Sequence, residues 1–219
     1  DQYKMALKYE KGDGVERSAV LAKEWYEKAA NQGHAEAQYN LALCYDNGEG
    51  VKENNAEAVK WYKKAAEKGV VNAQYNLAIC YETGEGVAEN YSEAIKWYRK
   101  AAKQGLPEAQ CQLGILLEDG IGTEEDEEKA FKWFSRSAEK GFPAAQYLLG
   151  LCYEGGIGTD CEVLAEAGAA RADIVIGVTG SDELNMLSCV LANRYGTRTI
   201  ARVRNPKYVE ELALIKEDL

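Results

Sequence analysis

The stretch AEAQYNLALCYDNGEGV, residues 35–51, decides the fold. Leu41, Ala42, Cys44 and Tyr45 recur at the spacing of one helical face. Gly48 and Gly50 then stop the helix, because glycine takes a positive φ without steric cost. The next stretch, NNAEAVKWYKKAAEKG (54–69), predicts a second helix that buries Ala58, Trp61, Tyr62, Ala65 and Ala66 and ends at Gly69. The pair forms a helical hairpin, and it returns every 36 residues without a gap. Gly33, Gly69, Gly105 and Gly141 share one phase, as do Gln38, Gln74, Gln110 and Gln146, and Gly48, Gly84, Gly120 and Gly156. All four tryptophans of the chain, Trp25, Trp61, Trp97 and Trp133, fall at a single phase. That is the signature of a repeat protein. Small alanines beside large aromatics let neighbouring hairpins approach closely, and the four indoles are expected to be mostly buried between them in a right-handed stack.

Working outward, the chain of 219 residues is 46% hydrophobic with only 3 prolines, enough to bury a substantial core. No apolar run reaches the roughly 18 residues a membrane helix requires, and the opening DQYKMALKYEKGDG has no signal-peptide pattern. The missing initial Met suggests that upstream residues have been removed. With 36 Asp and Glu against 26 Lys and Arg, the net charge is −10. Such a chain repels phosphate backbones and anionic membranes, so the expected partner is a neutral or basic protein or peptide, with no nucleic acid and no membrane insertion. Cys44, Cys80 and Cys152 share one buried phase without a regular partner inside the unit, which favours reduced core thiols and a reducing, cytoplasmic compartment.

The motif A-x-x-x-L-[AG]-x-x-[CY]-x-x-G-x-G, here Ala37 to Gly50, followed by A-x-x-W-[YF]-x-[KR]-[AS]-A, here Ala58 to Ala66, resembles the Sel1-like repeat family, relatives of the tetratricopeptide repeats. It covers residues 1 to about 158 as four helical pairs and a further first helix, Ala144 to Glu154. The resemblance implies a mainly α protein, an α-α superhelical solenoid, acting as an adaptor and not as an enzyme.

After Gly158 the pattern changes. The period places a tryptophan at 169, where the chain has Ala169. The spacing instead predicts a helix over 160–172, a strand in DIVIGVTG (173–180), a helix over 181–196, a strand in TRTIARVRN (197–205) and a helix over 206–219 with Pro206 at its first position. Strand and helix alternating with short links predict a parallel α/β unit. Three motifs, GTD-x-x-V-L-x-x-A-G at 158–168, A-D-x-V-I-x-V-T-G-x-D-E-x-N at 172–185 and I-A-R-V-x-N-P-x-Y at 200–208, resemble the later part of the TrkA-N (RCK or KTN) nucleotide-binding domain of potassium channels and transporters. The expected division is therefore a solenoid over 1–158 and a partial Rossmann-like segment over 159–219. The resemblance nominates Thr179, Gly180, Asp182 and Asn185 for contact with NAD. The Gly-x-Gly-x-x-Gly phosphate turn and the acidic residue that such a domain carries are missing, and Ile157 stands where the family has a carboxylate. Cofactor binding is expected to be absent or weak unless the missing half of the fold is supplied.

No Ser-His-Asp set, metal spacing or phosphate loop is present, so neither catalytic nor metal residues are assigned. His34, the lone histidine, sits in an inter-repeat turn and is expected to play a surface role. The acidic run Glu124 to Glu128 opens a helix, where it suits the macrodipole or docks a basic ligand. In tetratricopeptide stacks the first helix of each pair lines the concave groove at spacings i, i+4 and i+7. Carried onto this chain, that register selects Tyr39, Leu43 and Asp46; Tyr75, Ile79 and Glu82; Cys111, Ile115 and Glu118; and Tyr147, Leu151 and Glu154. The row reads as a tyrosine-bearing stripe edged by carboxylates that would receive Lys or Arg, or as packing against the next second helix. The functional expectation is a protein-binding scaffold. The alternative is a nucleotide-sensing segment of a potassium transport system, incomplete in this chain. The tail is expected to cover Leu148, Leu149 and Leu151 on the last helix or to pair with another copy.

Overall fold

A computed structural model describes residues 1–154, residue 157 and two short strands, Ile174–Gly177 and Arg198–Ala201. Two compact units divide the chain, Asp1–Ala109 and Gln110–Leu219. The first holds α1 (Gln2–Lys11), α2 (Ala19–Asn31), α3 (Ala35–Asn47), α4 (Asn55–Glu67), α5 (Val71–Thr83) and α6 (Tyr91–Lys103), together with the start of α7 (Pro107–Glu118). The second continues with the rest of α7, then α8 (Glu127–Glu139), α9 (Pro143–Glu154), β1 (Ile174–Gly177) and β2 (Arg198–Ala201).

Local chemistry sets the helix ends. Each second helix starts on a polar cap that accepts from a backbone N–H three residues on: Ser18 from Leu21 at 3.3 Å, Asn54 from Glu57 at 3.1 Å, Asn90 from Glu93 at 3.1 Å and Asp126 from Lys129 at 2.9 Å. The first helices α3 and α5 end at Gly48 and Gly84 in the left-handed region, φ 70° and 76°. Two residues on, Gly50 and Gly86 hold φ 71° and lie so close to the preceding second helix that a Cβ would sit 2.3 Å from the main chain of Ala19 or of Asn55. These two loops therefore each do two jobs: they stop their own helix and seat it on the earlier hairpin.

In the first unit the largest fully buried side chains are Tyr26, Tyr62 and Tyr98, set among alanines such as Ala37, Ala58, Ala73 and Ala94 and the leucines Leu41 and Leu77. The buried amides of Gln38 and Gln74 donate at 3.1 Å to Ala30 O and Ala66 O, which accounts for glutamine at that phase. At the helix ends, Lys68 donates to Gly33 O, and Gln104 donates to Gly69 O at 3.3 Å, tying each second helix to the one before. The indoles are mostly buried, as the spacing predicts, but unequally: Trp97 is buried, Trp25, Trp61 and Trp133 keep part of the ring accessible, and the tyrosine or phenylalanine that follows each indole lies deeper. A cation three residues along the helix covers each ring: Lys28 on Trp25 at 4.2 Å from the centroid, Lys64 on Trp61 at 3.7 Å, Lys100 on Trp97 at 3.6 Å and Arg136 on Trp133 at 4.9 Å.

In the second unit, Phe131 and Phe134 of α8 are fully buried, and Phe131 meets Tyr153 of α9 edge-on at 5.4 Å. Ser135, also buried, returns its hydroxyl to Phe131 O at 2.9 Å. The further first helix predicted at Ala144 to Glu154 is α9, beginning one residue earlier at Pro143. Both strands lie inside the predicted stretches and pair in parallel, Ile174 with Arg198 through Gly177 with Ala201. The helices expected over 160–172, 181–196 and 206–219, and the seam at Gly158 to Asp160, lie outside the described residues.

Candidate partner-binding surface

Along α3 and α5, the positions selected as groove residues, Tyr39, Leu43, Asp46, Tyr75, Ile79 and Glu82, are all half-buried. The Tyr39 ring lies 6.0 Å from Tyr62, tilted by 41°, and Tyr75 lies 5.7 Å from Tyr98, tilted by 56°. These tyrosines lean on the next second helix with part of each ring accessible. The carboxylates beside them have a partner that the stripe did not foretell. Tyr62 donates its phenol to Asp46 at 2.8 Å, Tyr26 donates to Glu10 at 2.8 Å, and Tyr98 donates to Glu82. Behind the phenol, Asn76 Nδ2 donates to Tyr62 Oη at 3.1 Å. A chain of amide, phenol and carboxylate thus runs beneath the rim. Burial, followed by the hydrogen bond to the carboxylate, pushes the phenols of Tyr26, Tyr62 and Tyr98 far above the ordinary tyrosine range, so they stay protonated donors. A carboxylate has two oxygens. Asp46 accepts from Tyr62 on Oδ2, which leaves a second oxygen with the capacity to accept from another donor.

A cleft of about 250 Å³ opens at the first of these networks, lined by Glu10, Arg17, Tyr26, Asn40, Leu43 and Cys44 among others. Its mixed lining offers donor, acceptor and apolar contacts in one recess. Position 19 helps to open it: Ala19 lines the cleft where the same phase carries Asn55, Tyr91 and Glu127.

The second unit departs from this pattern. Ile115 and Glu118 are half-buried and Cys111 is buried, whereas Tyr147 and Leu151 are 68% and 43% exposed. The side chain of Glu154 lies outside the described residues. Phe134 occupies the phase of Tyr98, so Glu118 faces no phenol at that phase. Burial, Asp119 and Glu127 together raise the Glu118 carboxyl above its ordinary value.

The remaining candidates fall into place around this surface. Cys44, Cys80, Cys111 and Cys152 are free and buried, and burial pushes their thiols up to about 11, 12, 11 and 11, which makes them inert. His34 has a role that the sequence did not suggest. Its Nδ1 accepts from Ala37 N at 3.3 Å as the cap of α3, and its ring stacks on Tyr3 at 4.4 Å. The 3.4 Å approach of Glu36 to the same nitrogen becomes an ion pair only after protonation, which would cost the cap. Among the described residues no group of three or more His, Cys, Asp or Glu could hold a metal, and no helix is long and apolar enough to cross a membrane. Thr179, Gly180, Asp182 and Asn185 lie outside the described residues.

Comparison with known proteins finds two consecutive matched stretches. The TrkA-N domain matches residues 147–218, a range that begins inside α9. Trk system potassium uptake proteins are similar over that stretch: a TrkA homolog of Archaeoglobus fulgidus is 46% identical over 57 residues, 26% of this chain and 13% of that protein. TrkA of Haemophilus influenzae is 48% identical over 52 residues, 23% of this chain and 11% of that one. The chain thus spans a small part of these relatives. Among solved structures, a Sel1 repeat protein from Oxalobacter formigenes superposes with a TM-score of 0.70 at 40% identity, covering 76% of this chain and 71% of that one. A protective antigen of uropathogenic Escherichia coli, c5321, described as displaying an SLR fold, gives 0.70 at 30% identity over 89% of this chain and 45% of that one. The Sel1 repeat matches four consecutive times, at 1–34, 35–70, 71–106 and 107–142, and with its helical pairs in the same register the chain belongs to the Sel1 repeat family.

Proposed function

We propose that the chain is a protein-binding scaffold that grips a polypeptide segment along its first helices, at Tyr39, Leu43 and Asp46, Tyr75, Ile79 and Glu82, Ile115 and Glu118, and Tyr147, Leu151 and Glu154. The observation that carries this is the half-burial of the α3 and α5 positions: each side chain is held by packing or hydrogen bonds yet keeps a face for a ligand. A rigid tyrosine gives contact area at little entropic cost, and the carboxylate behind it orients Lys or Arg. Partner chemistry is therefore basic and apolar, and catalysis is not part of the role. The solenoid reads best as residues 1–158.

The test is a random-peptide display selection against the immobilised chain. Selected peptides should be enriched in Lys, Arg and apolar residues, and Leu43→Ser with Ile79→Ser should abolish their binding while the chain still melts cooperatively. Peptides without that bias, or binding that survives both substitutions, would reject the groove.

The TrkA-N match supports a second reading for residues 159–219, as a nucleotide-sensing segment completed by another chain, with Thr179, Gly180, Asp182 and Asn185 at the ligand. Thermal stabilisation by NAD would support it, since a ligand that binds only the native state raises the melting point. No shift at millimolar NAD would remove it.

A further inference from the structure

The second helices carry chemistry that the groove does not use. On α6, Lys96, Arg99, Lys100 and Lys103 follow the i, i+3, i+4, i+7 rule of one helical stripe, and every one of them is exposed. On α4, Lys60, Lys63 and Lys64 occupy the same three leading phases and are also exposed. The two helices lie alongside one another. At their start the Gly86 loop rests on the Asn55 backbone, and at their end Gln104 reaches Gly69 O at 3.3 Å. Two basic stripes therefore form one patch on a chain whose net charge is −10.

The patch is only partly neutralised. Glu57 pairs with Lys60 and Glu93 with Lys96 at 3.0 Å, and Glu67 ends the α4 stripe, but Lys63, Arg99 and Lys103 have no acidic partner among the described residues. Lys64 and Lys100 lie on the Trp61 and Trp97 rings, which fixes the ammonium groups at the surface instead of leaving them to wander. The other second helices carry fewer cations: at the corresponding phases α2 has Glu24, Glu27, Lys28 and Asn31, and α8 has Lys132, Ser135, Arg136 and Glu139.

We infer that α4 and α6 form a second docking face that takes an acidic polypeptide segment, independent of the groove and of opposite preference. Charge complementarity selects the partner. A polypeptide fits better than a bilayer because the exposed large apolar side chains among the described residues, Val20, Leu21, Ile121, Tyr147 and Leu151, all lie off α4 and α6, and a helix that binds a membrane surface needs apolar groups to bury in it. A scaffold with one acidic-rimmed groove and one basic face can hold two partners of opposite charge at once.

The test uses a fluorescein-labelled deca-glutamate peptide titrated with the full chain at low salt and followed by anisotropy. Saturable binding is expected, weakening about tenfold when Arg99→Glu is combined with Lys103→Glu and fading as salt approaches the regime where the Debye length is about 8 Å. Lys63→Glu with Arg99→Glu serves as a second variant, and melting curves confirm that each folds. Absence of saturable binding, or a folded variant that binds like the wild type, overturns the inference. Co-sedimentation with phosphatidylserine vesicles that is lost in the same variants, without peptide binding, overturns it in favour of a lipid surface.

Discussion

The third and fourth helical hairpins share a backbone plan and solve their interiors differently. In α5 and α6 the buried aromatic is Tyr98, whose phenol donates to Glu82. In α7 and α8 the same phase holds Phe134, the carboxylate is Glu118, and the alanine seen at 42 and 78 has become Gly114. The two changes, at 134 and 114, belong together, while the carboxylate is kept. A Cβ on Gly114 would lie 2.4 Å from Phe134 Cε1, so the ring occupies the space an alanine would claim. One solution is polar and directional, the other apolar and steric. The rim carboxylates of the first unit are consequently part of the packing, while Glu118 is surrounded by like charge.

Alkaline pH should separate the two solutions most strongly. Above pH 10 the unfolded phenols ionise while Tyr26, Tyr62 and Tyr98 remain protonated, so the unfolded state binds fewer protons and stability falls as pH rises. The loss is about 1.4 kcal/mol per pH unit for each phenol. Limited proteolysis at pH 10.5 should cut within α1–α6 before α8. Cleavage in α8 first would break the comparison.

Gly114→Ala should cost about 1–3 kcal/mol through overpacking, read from urea unfolding, and adding Phe134→Tyr should recover part of it, because alanine and tyrosine coexist in the other hairpins. Tyr62→Phe, in contrast, leaves Asp46 and Asn76 short of a partner and should cost about 1–2 kcal/mol. Smaller still, Lys100→Ala should cost about 0.5–1 kcal/mol by uncovering Trp97, visible as a shift in indole fluorescence. The smallest effect is the most diagnostic. Glu118→Gln should be neutral or slightly stabilising at pH 7: its raised carboxyl favours the protonated form in the fold, so its contribution is present at low pH and lost as pH rises through its titration. Asp46→Asn should destabilise.

Most of the fold was legible because periodicity is a property of the chain itself. The 36-residue phase placed the hairpins, the glycine stops and α9 within one or two residues. Burial within a hairpin was harder to assign. The pattern places both Trp61 and Tyr62 on the buried side and does not say which lies deeper. The cation three residues beyond each tryptophan does not rank depth either, since Lys100 covers Trp97, which is buried. The groove was readable only as a register. That Asp46 answers Tyr62 depends on residues 16 apart on different helices, although the tyrosine-to-phenylalanine change at 134 hints at it. The capping role of His34 was not legible because its phase is otherwise filled by Val70, Leu106 and Phe142, whose side chains carry no acceptor. The end of the solenoid is harder to read: α9 keeps the phase of a first helix, yet the Sel1 repeat matches stop at 142 and the TrkA-N match begins at 147, inside that helix.

The Gly-x-Gly loops have an evolutionary consequence. Gly50 and Gly86 press on main-chain atoms of Ala19 and Asn55, positions whose side chains differ. The seam between hairpins reads backbone and ignores residue identity there. A duplicated 36-residue segment would arrive with a seam that already fits its new neighbour, so the array can lengthen by copying whole cassettes while mutation tunes the surfaces afterwards.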